Sequence, residues 1–173
     1  MTTYLRKATD DDLLEINKII DSAKLLLKAN EINQWQDGYP DLETLHHDIE
    51  QQVCYVLIVD QQIAGVGVIL QDKDPGYEKI VQGSWLDSDQ STYRSIHRVA
   101  LSPDFRGQHL SATLMNHLIT AARLAGSTDL RIDTHPENNA MQRVIQKSGF
   151  DYRGVIYLER SHDKRWAYQL LLS

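Results

Sequence analysis

Apolar residues along this chain switch between two periods, and the switches mark out a mixed α/β order. Tyr4 to Ala8 reads as a short first strand. Thr9 with Asp12 then makes a capping-box-like start, and Leu13, Ile16, Ile20, Ala23 and Leu27 stripe one face of the helix that follows. A turn holding Trp35, Gly38, Tyr39 and Pro40 leads to a second helix near Leu42 to Gln51. Val53 to Val59 and Ile63 to Leu70 are β-branched runs around Asp60-Gln61-Gln62, a hairpin signal, with Gly65 and Gly67 suited to a bulge or close packing. An irregular polar stretch runs from Gln71 to about Thr92. Further strands are expected at Ile96 to Leu101, Leu130 to Thr134, Tyr152 to Leu158 and Trp166 to Leu172. Neither repeats nor linker-like seams interrupt this order, so one domain over 1–173 is expected.

The clearest helix signal lies in the middle of the chain. Leu110, Leu114 and Leu118 repeat at helical spacing, and Met115, Ala122 and Leu124 widen the same face. Directly ahead stands Val99-Ala100-Leu101-Ser102-Pro103-Asp104-Phe105-Arg106-Gly107-Gln108-His109, a strand end, a Ser-Pro turn and an Arg-Gly loop. A helix start carries backbone N–H groups without intrahelical acceptors and a partial positive charge, which together attract anions. Gly107 lets the backbone approach a ligand closely, and Arg106 adds a charged fork. A phosphate or pyrophosphate is the expected guest. Neither the Gly-x-x-x-x-Gly-Lys-Ser/Thr nor the Gly-x-Gly-x-x-Gly phosphate motif is present.

The stretch resembles the pyrophosphate-binding motif of the GNAT acyltransferase superfamily, Arg/Gln-x-x-Gly-x-Gly/Ala between the central strand and the third helix. Arg106, Gly107, Gln108, Leu110 and the Val99-x-Leu101-x-Pro103 frame fall where that family has them. His109 stands in place of its usual Gly, and Ser111 in place of Gly or Ala. A second match follows at the family's order and spacing. Asn138 to Phe150 resembles the fourth helix with its Gly-Phe ending; Pro136 opens it and Gly149 suits a left-handed C-cap. Met141 and Ile145 lie on one face, and Val144 widens it.

The resemblance implies a fold and a cofactor. The expected architecture is the GNAT acyltransferase fold, an α/β arrangement whose central, mostly antiparallel sheet splays open beside the central strand and is flanked by helices. Acetyl-CoA would lie in the wedge as co-substrate, with no metal. Its pantetheine arm would pair with the edge of Val99, Ala100 and Leu101. Its pyrophosphate would rest on N–H groups of Gly107, Gln108, His109, Leu110, Ser111 and Ala112, with Arg106 beside it. Asn138 matches the family's Asn that holds the pantetheine side, and Arg143 or Lys147 could meet the adenosine phosphate.

Acyl transfer to an amine needs a proton acceptor and a donor for the oxyanion. An N–H of the central strand, such as that of Val99, could be the donor. Many GNAT enzymes carry a Glu base on that strand, and counting back from Leu101 reaches His97, whose imidazole titrates near neutrality. His97 packing beside the strand is the competing reading. At the position of the family's usual Tyr general acid stands Ile145. Tyr93, Tyr152 and Tyr157 could compensate, with nothing in the sequence selecting one.

Asp133-Thr134-His135 ends a strand ahead of the fourth helix, so Asp133 and His135 could line an acceptor site or serve as cap and loop residues. Trp35, Tyr39 and Trp85 fall in the two segments from which GNAT enzymes build that pocket. They could stack on a substrate, hold an amine by cation–π attraction, or pin long loops. His46-His47 points to a solvated helix face rather than a metal site, since neighbours on a helix diverge.

Composition narrows the partners. The formal charge of −6 argues against a general binder of nucleic-acid backbones and mildly favours a cationic acceptor. The single cysteine, Cys54, lies in an apolar run and reads as core, with no intrachain disulfide. A polar N-terminus and the lack of a membrane-length apolar run point to a cytoplasmic protein with no membrane partner. Many relatives pair as dimers, so a homodimer is an open expectation. The leading expectation is an N-acetyltransferase acting from acetyl-CoA on a small-molecule or peptide amine. The alternatives are a non-catalytic acyl-CoA-binding sensor or partner-binding protein of the same fold, and an unrelated α/β nucleotide binder.

Overall fold

The computed structural model describes residues 1–71, 73–86 and 93–173. It shows a mixed α/β chain whose seven strands join in the order β1-β2-β3-β4-β5-β7-β6. These are β1 (Thr3–Lys7), β2 (Cys54–Val59), β3 (Gln62–Leu70), β4 (Arg94–Leu101), β5 (Asp129–Thr134), β6 (Asp151–Tyr157) and β7 (Lys164–Leu171). The β4–β5 pair is parallel, whereas β1–β2, β2–β3, β5–β7 and β6–β7 are antiparallel. The chain divides into two compact units, Met1–Ile69 with His97–Leu118, and Leu70–Ile96 with Ile119–Ser173.

The first unit opens with β1, a 3-10 turn at Asp10–Asp12 and helix α1 (Leu13–Ala29); the Thr9–Asp12 capping box is present. Ile16, Ile19 and Ile20 of α1 are buried, and the apolar stripe thins toward the C-terminal half, where Ala23 and Leu27 are only half-buried. Helix α2 (Leu42–Glu50) starts at Asp41, whose side chain accepts from the Thr44 N–H at 2.9 Å. The β2–β3 hairpin turns through Asp60 and Gln61, both left-handed at φ 44° and 72°, as a two-residue hairpin turn requires. Gly65 and Gly67 are close-packing glycines. A Cβ on the first would stand 2.8 Å from a Leu101 methyl, and on the second 2.5 Å from a Leu118 methyl. Leu110, Leu114, Met115 and Leu118 of helix α4 (Leu110–Leu124) are buried, as their spacing predicts.

In the second unit the described residues of the 71–92 stretch include regular elements where an irregular stretch is expected. Helix α3 (Pro75–Glu78) is capped by Asp74, and Val81 bridges to Val155; Asp72 and Asp87 to Thr92 lie outside the described residues. Tyr77, Trp85, Tyr93, Ile156 and Ala167 form one of its buried clusters. Leu124 departs from the expected stripe. It is 84% exposed, because the helix ends there and the chain turns away at left-handed Gly126. Helix α5 (Asn139–Lys147) is opened by Asn138 rather than by Pro136, since the Asn138 Oδ1 accepts from the Met141 N–H at 3.1 Å. Gly149 follows in the left-handed conformation at φ 94°, the C-cap its position predicts. Along β5 the charged side chains Asp129, Arg131 and Asp133 alternate with Leu130, Ile132 and Thr134, so three charges share one face of a strand.

Candidate active site

The anion-binding stretch is laid out as its residues predict. After β4, Ser102 caps a 3-10 turn at Pro103–Phe105, and Arg106, Gly107, Gln108 and His109 follow as exposed residues before α4 begins at Leu110. Gly107 and His109 are both left-handed, at φ 78° and 56°. A Cβ at Gly107 would meet nothing within 4 Å, so the glycine is required by its backbone angle and not by crowding. His109 takes the same kind of angle with a side chain attached, a strain that glycine at this position would not carry. The first-turn N–H groups at Leu110, Ser111 and Ala112 have no acceptor within an α-helix and end an exposed turn.

In β4, Ala100 is buried while Val99 and Leu101 are half-buried. His97 is half-buried, with its Nε2 out of solvent. Between them Arg98 breaks the regular strand at φ 52°. Its guanidinium meets Asp48 of α2 twice, Nε to Oδ2 at 2.6 Å and Nη2 to Oδ1 at 2.8 Å, and its Nη1 donates to the Tyr39 hydroxyl. Burial disfavours the Arg98 charge, but the Asp48 bonds and Tyr39 outweigh it and hold the guanidinium above its ordinary value. Tyr39 and Trp35 are half-buried in the loop between α1 and α2, Trp35 at a left-handed φ of 61°.

The second unit gathers the other acceptor candidates around β5. Asp133 accepts from the Tyr77 hydroxyl at 2.7 Å, and the Arg165 Nε lies 3.9 Å from its second oxygen. Burial raises the Asp133 carboxyl above its ordinary value in spite of both neighbours. Burial also carries the Tyr77 hydroxyl well above the usual tyrosine value, with the Asp133 charge adding to it. His135 accepts the Glu137 N–H at 3.2 Å, and burial, then Arg165, lowers its value. Trp85 is placed differently from a pocket lining. It is buried, its indole N–H donates to the Tyr77 carbonyl at 2.7 Å, and Arg131 stacks between it and Tyr93 at 4.3 and 4.0 Å. Arg131 also donates to Asp129 at 2.9 Å, and Gln169 reaches the same carboxylate at 3.0 Å.

Several sequence candidates have their atoms committed elsewhere. The Asn138 Oδ1 caps α5. The Tyr93 hydroxyl accepts from the Asp74 N–H at 2.7 Å, whereas Tyr152 and Tyr157 are exposed. Ile145 is buried. Burial pushes the Cys54 thiol up to about 12, which leaves it an unreactive core side chain. Among the described residues no group of three or more His, Cys, Asp or Glu side chains is placed to hold a metal ion. Nor is any helix long and apolar enough to cross a membrane. The residues not foreseen are Asp48, Arg98, Tyr77 and Arg165. The signal was there for Arg98, a cation inside an apolar strand, and for the one-face charges of β5.

The sequence profile of the Acetyltransferase (GNAT) family matches residues 20–150. The chain belongs to this family. Family members take acetyl-CoA as co-substrate. This GNAT protein is 23% identical over 154 residues to a Bacillus subtilis (strain 168) protein named uncharacterized N-acetyltransferase YesJ, covering 88% of this chain and 83% of that one. Its fold superimposes on a GNAT-family acetyltransferase from Streptococcus agalactiae 2603 with a TM-score of 0.90 and 29% identity, covering 99% and 96% of the two chains. The aminoglycoside acetyltransferase AAC(6')-Ib, solved with coenzyme A and kanamycin, shares the fold at a TM-score of 0.70 and 16% identity, over 98% and 95% of the two chains.

Proposed function

We propose that this chain transfers an acetyl group from acetyl-CoA to a primary amine of a small molecule or peptide, by direct attack in a ternary complex. The observation that carries this reading is the exposed Arg106–His109 turn, with two left-handed residues leading into α4. Such a turn offers backbone N–H groups and a guanidinium to a pyrophosphate. In this reading Gly107 to Ala112 and Arg106 hold the phosphates, and Val99, Ala100 and Leu101 pair with the pantetheine arm. Asn138, with its Oδ1 already capping α5, would contribute through its amide nitrogen.

Acetyl-CoA supplies the activated acyl carbon. The Val99 N–H would steady the oxygen that gains charge as the amine attacks. A cationic acceptor gives up one proton to solvent before it attacks; His97 would take the second, directly or through water, and return it to the departing thiolate. Asp133 gives a cationic acceptor a carboxylate to meet, with His135 beside it. Trp35 and Tyr39 would form an aromatic wall for the acceptor, whereas Trp85 would support the site from within the core.

Calorimetric titration with acetyl-CoA, followed by a panel of amines assayed for free CoA, tests the reading. Binding with turnover is expected, His97→Ala should flatten the rise of rate with pH, and Arg106→Ala should weaken binding by about 1–3 kcal/mol. Buried Ile145 at the general-acid position favours a second reading, an acyl-CoA-binding protein without catalysis. Binding without turnover across a broad panel would select it, and no binding would sink both.

A further inference from the structure

Buried charge ties the break in β4 to the loop between α1 and α2. Arg98 holds a left-handed angle inside a strand, which a residue with a side chain keeps only when its surroundings impose it. The imposing partner is Asp48; in this two-bond pair the side chains are 7% and 4% exposed. The third bond of the same guanidinium goes to Tyr39, whose ring also lies 5.8 Å from the Arg98 Cζ. The loop that ends at Tyr39 is fastened a second time from α1. Lys24 donates to the Pro40 carbonyl at 2.6 Å, and Gln36 donates to the Lys24 carbonyl at 3.0 Å. Directly before the Gln36 fastening stands Trp35, itself at a left-handed angle.

Removing either half of a buried pair leaves the other charge out of water without compensation. The pair therefore imposes one arrangement on both segments it touches. We propose that Arg98 is a positioning residue: with Asp48 and Tyr39 it holds the Trp35–Tyr39 loop in one preformed conformation and so sets the fit of the amine acceptor. This rests on the reading of the chain as an acetyltransferase, and it assigns specificity to residues that never meet the acetyl-CoA phosphates. Asp48 is buried and acts only through Arg98, so its replacement separates positioning from direct contact with substrate.

The test uses Asp48→Asn and Tyr39→Phe beside the unaltered protein, with two readouts. Chymotrypsin under native conditions cuts after Trp35 when the loop opens, and does not cut after Tyr39 because Pro40 follows. Loss of one charge-assisted bond should speed that cut by about tenfold in Asp48→Asn, and by roughly threefold in Tyr39→Phe, where one neutral-acceptor bond is lost. In steady-state kinetics the KM of the amine should rise by a similar factor while the KM of acetyl-CoA stays within about twofold. Unchanged cleavage after Trp35, or a parallel rise of both KM values, would overturn the proposal. Should Asp48→Asn fail to fold, the cleavage rate of Tyr39→Phe, which contact with the amine does not enter, decides whether Arg98 holds the loop. Should the unaltered protein show no turnover, the acetyltransferase reading fails on that result, while the cleavage rates still decide whether Arg98 holds the loop.

Discussion

Two carboxylates, Asp12 in the first unit and Asp133 in the second, are each hydrogen-bonded yet are treated in opposite ways. Asp12 accepts from both terminal nitrogens of Arg6, at 2.7 and 2.9 Å, and from the Thr9 N–H at 2.8 Å. The Arg6 bonds hold its carboxyl below the ordinary value. Asp133 is half-buried at residue level; it accepts from the Tyr77 hydroxyl at 2.7 Å, and the Arg165 Nε lies 3.9 Å from its second oxygen. Burial therefore wins, and its carboxyl is raised. Under the proposed function, this raised carboxyl at a strand end is the group that an incoming ammonium would meet.

The largest effect expected from this difference is on activity. Asp133→Asn should lower kcat/KM toward a cationic amine by roughly 10- to 100-fold, the worth of a charge-assisted bond. Acetyl-CoA affinity, read by calorimetry, should not move. Asp12→Asn should leave both constants alone, and a reversed pattern would break the comparison.

Stability should respond the other way round. Asp12→Ala removes a helix cap and a part-exposed ion pair, so about 1–2 kcal/mol should be lost, seen as a lower midpoint in urea. Asp133→Asn should cost little or even stabilise at neutral pH. The sign of the pH dependence follows from the protons each state holds. Asp12, with its folded value lowered, contributes stability that is present above the ordinary carboxylate range and lost as pH falls through the folded value. Asp133, with its folded value raised, binds its proton more tightly when folded, so stability falls as pH climbs from the ordinary value through the folded one. Each slope is bounded by about 1.4 kcal/mol per pH unit. Urea titrations across that range should lose the second slope in Asp133→Asn and keep it in Asp12→Asn.

Local patterns were legible and distant pairings were not. The period of Ile16 and Ile20 located α1, the β-branched runs around Asp60 located a hairpin, and Leu110, Leu114 and Leu118 located the buried face of α4. Each is decided within one or two turns of chain. Asp133 was singled out because strand alternation sets it apart from Ile132, but its partner Tyr77 lies 56 positions away in a stretch read as irregular. The Arg98–Asp48 pair spans 50 positions, and no local rule links a strand arginine to a helix carboxylate. Trp85 shows the limit from the other side. An indole in a long loop suits a pocket or a core equally, and only the Arg131 stack and the bond to Tyr77 place it in the core.

A second contrast lies between two helix starts, and here the smallest effect is expected. The α5 start is closed by the Asn138 side chain, whereas the α4 start follows an exposed turn in which His109 holds φ 56°. Glycine at 109 relieves a left-handed side chain by about 1 kcal/mol, but it also frees the unfolded chain, so net stability should change by less than about 1 kcal/mol. A backbone without a Cβ approaches phosphate more closely, so His109→Gly should tighten acetyl-CoA binding by roughly two- to fivefold, under 1 kcal/mol by calorimetry. A loss of about tenfold instead would mean that the imidazole itself meets the phosphate, as a charged donor would. His109 would then be a ligand-binding substitute for the family's glycine, and the strain at φ 56° would be the cost of placing that ring.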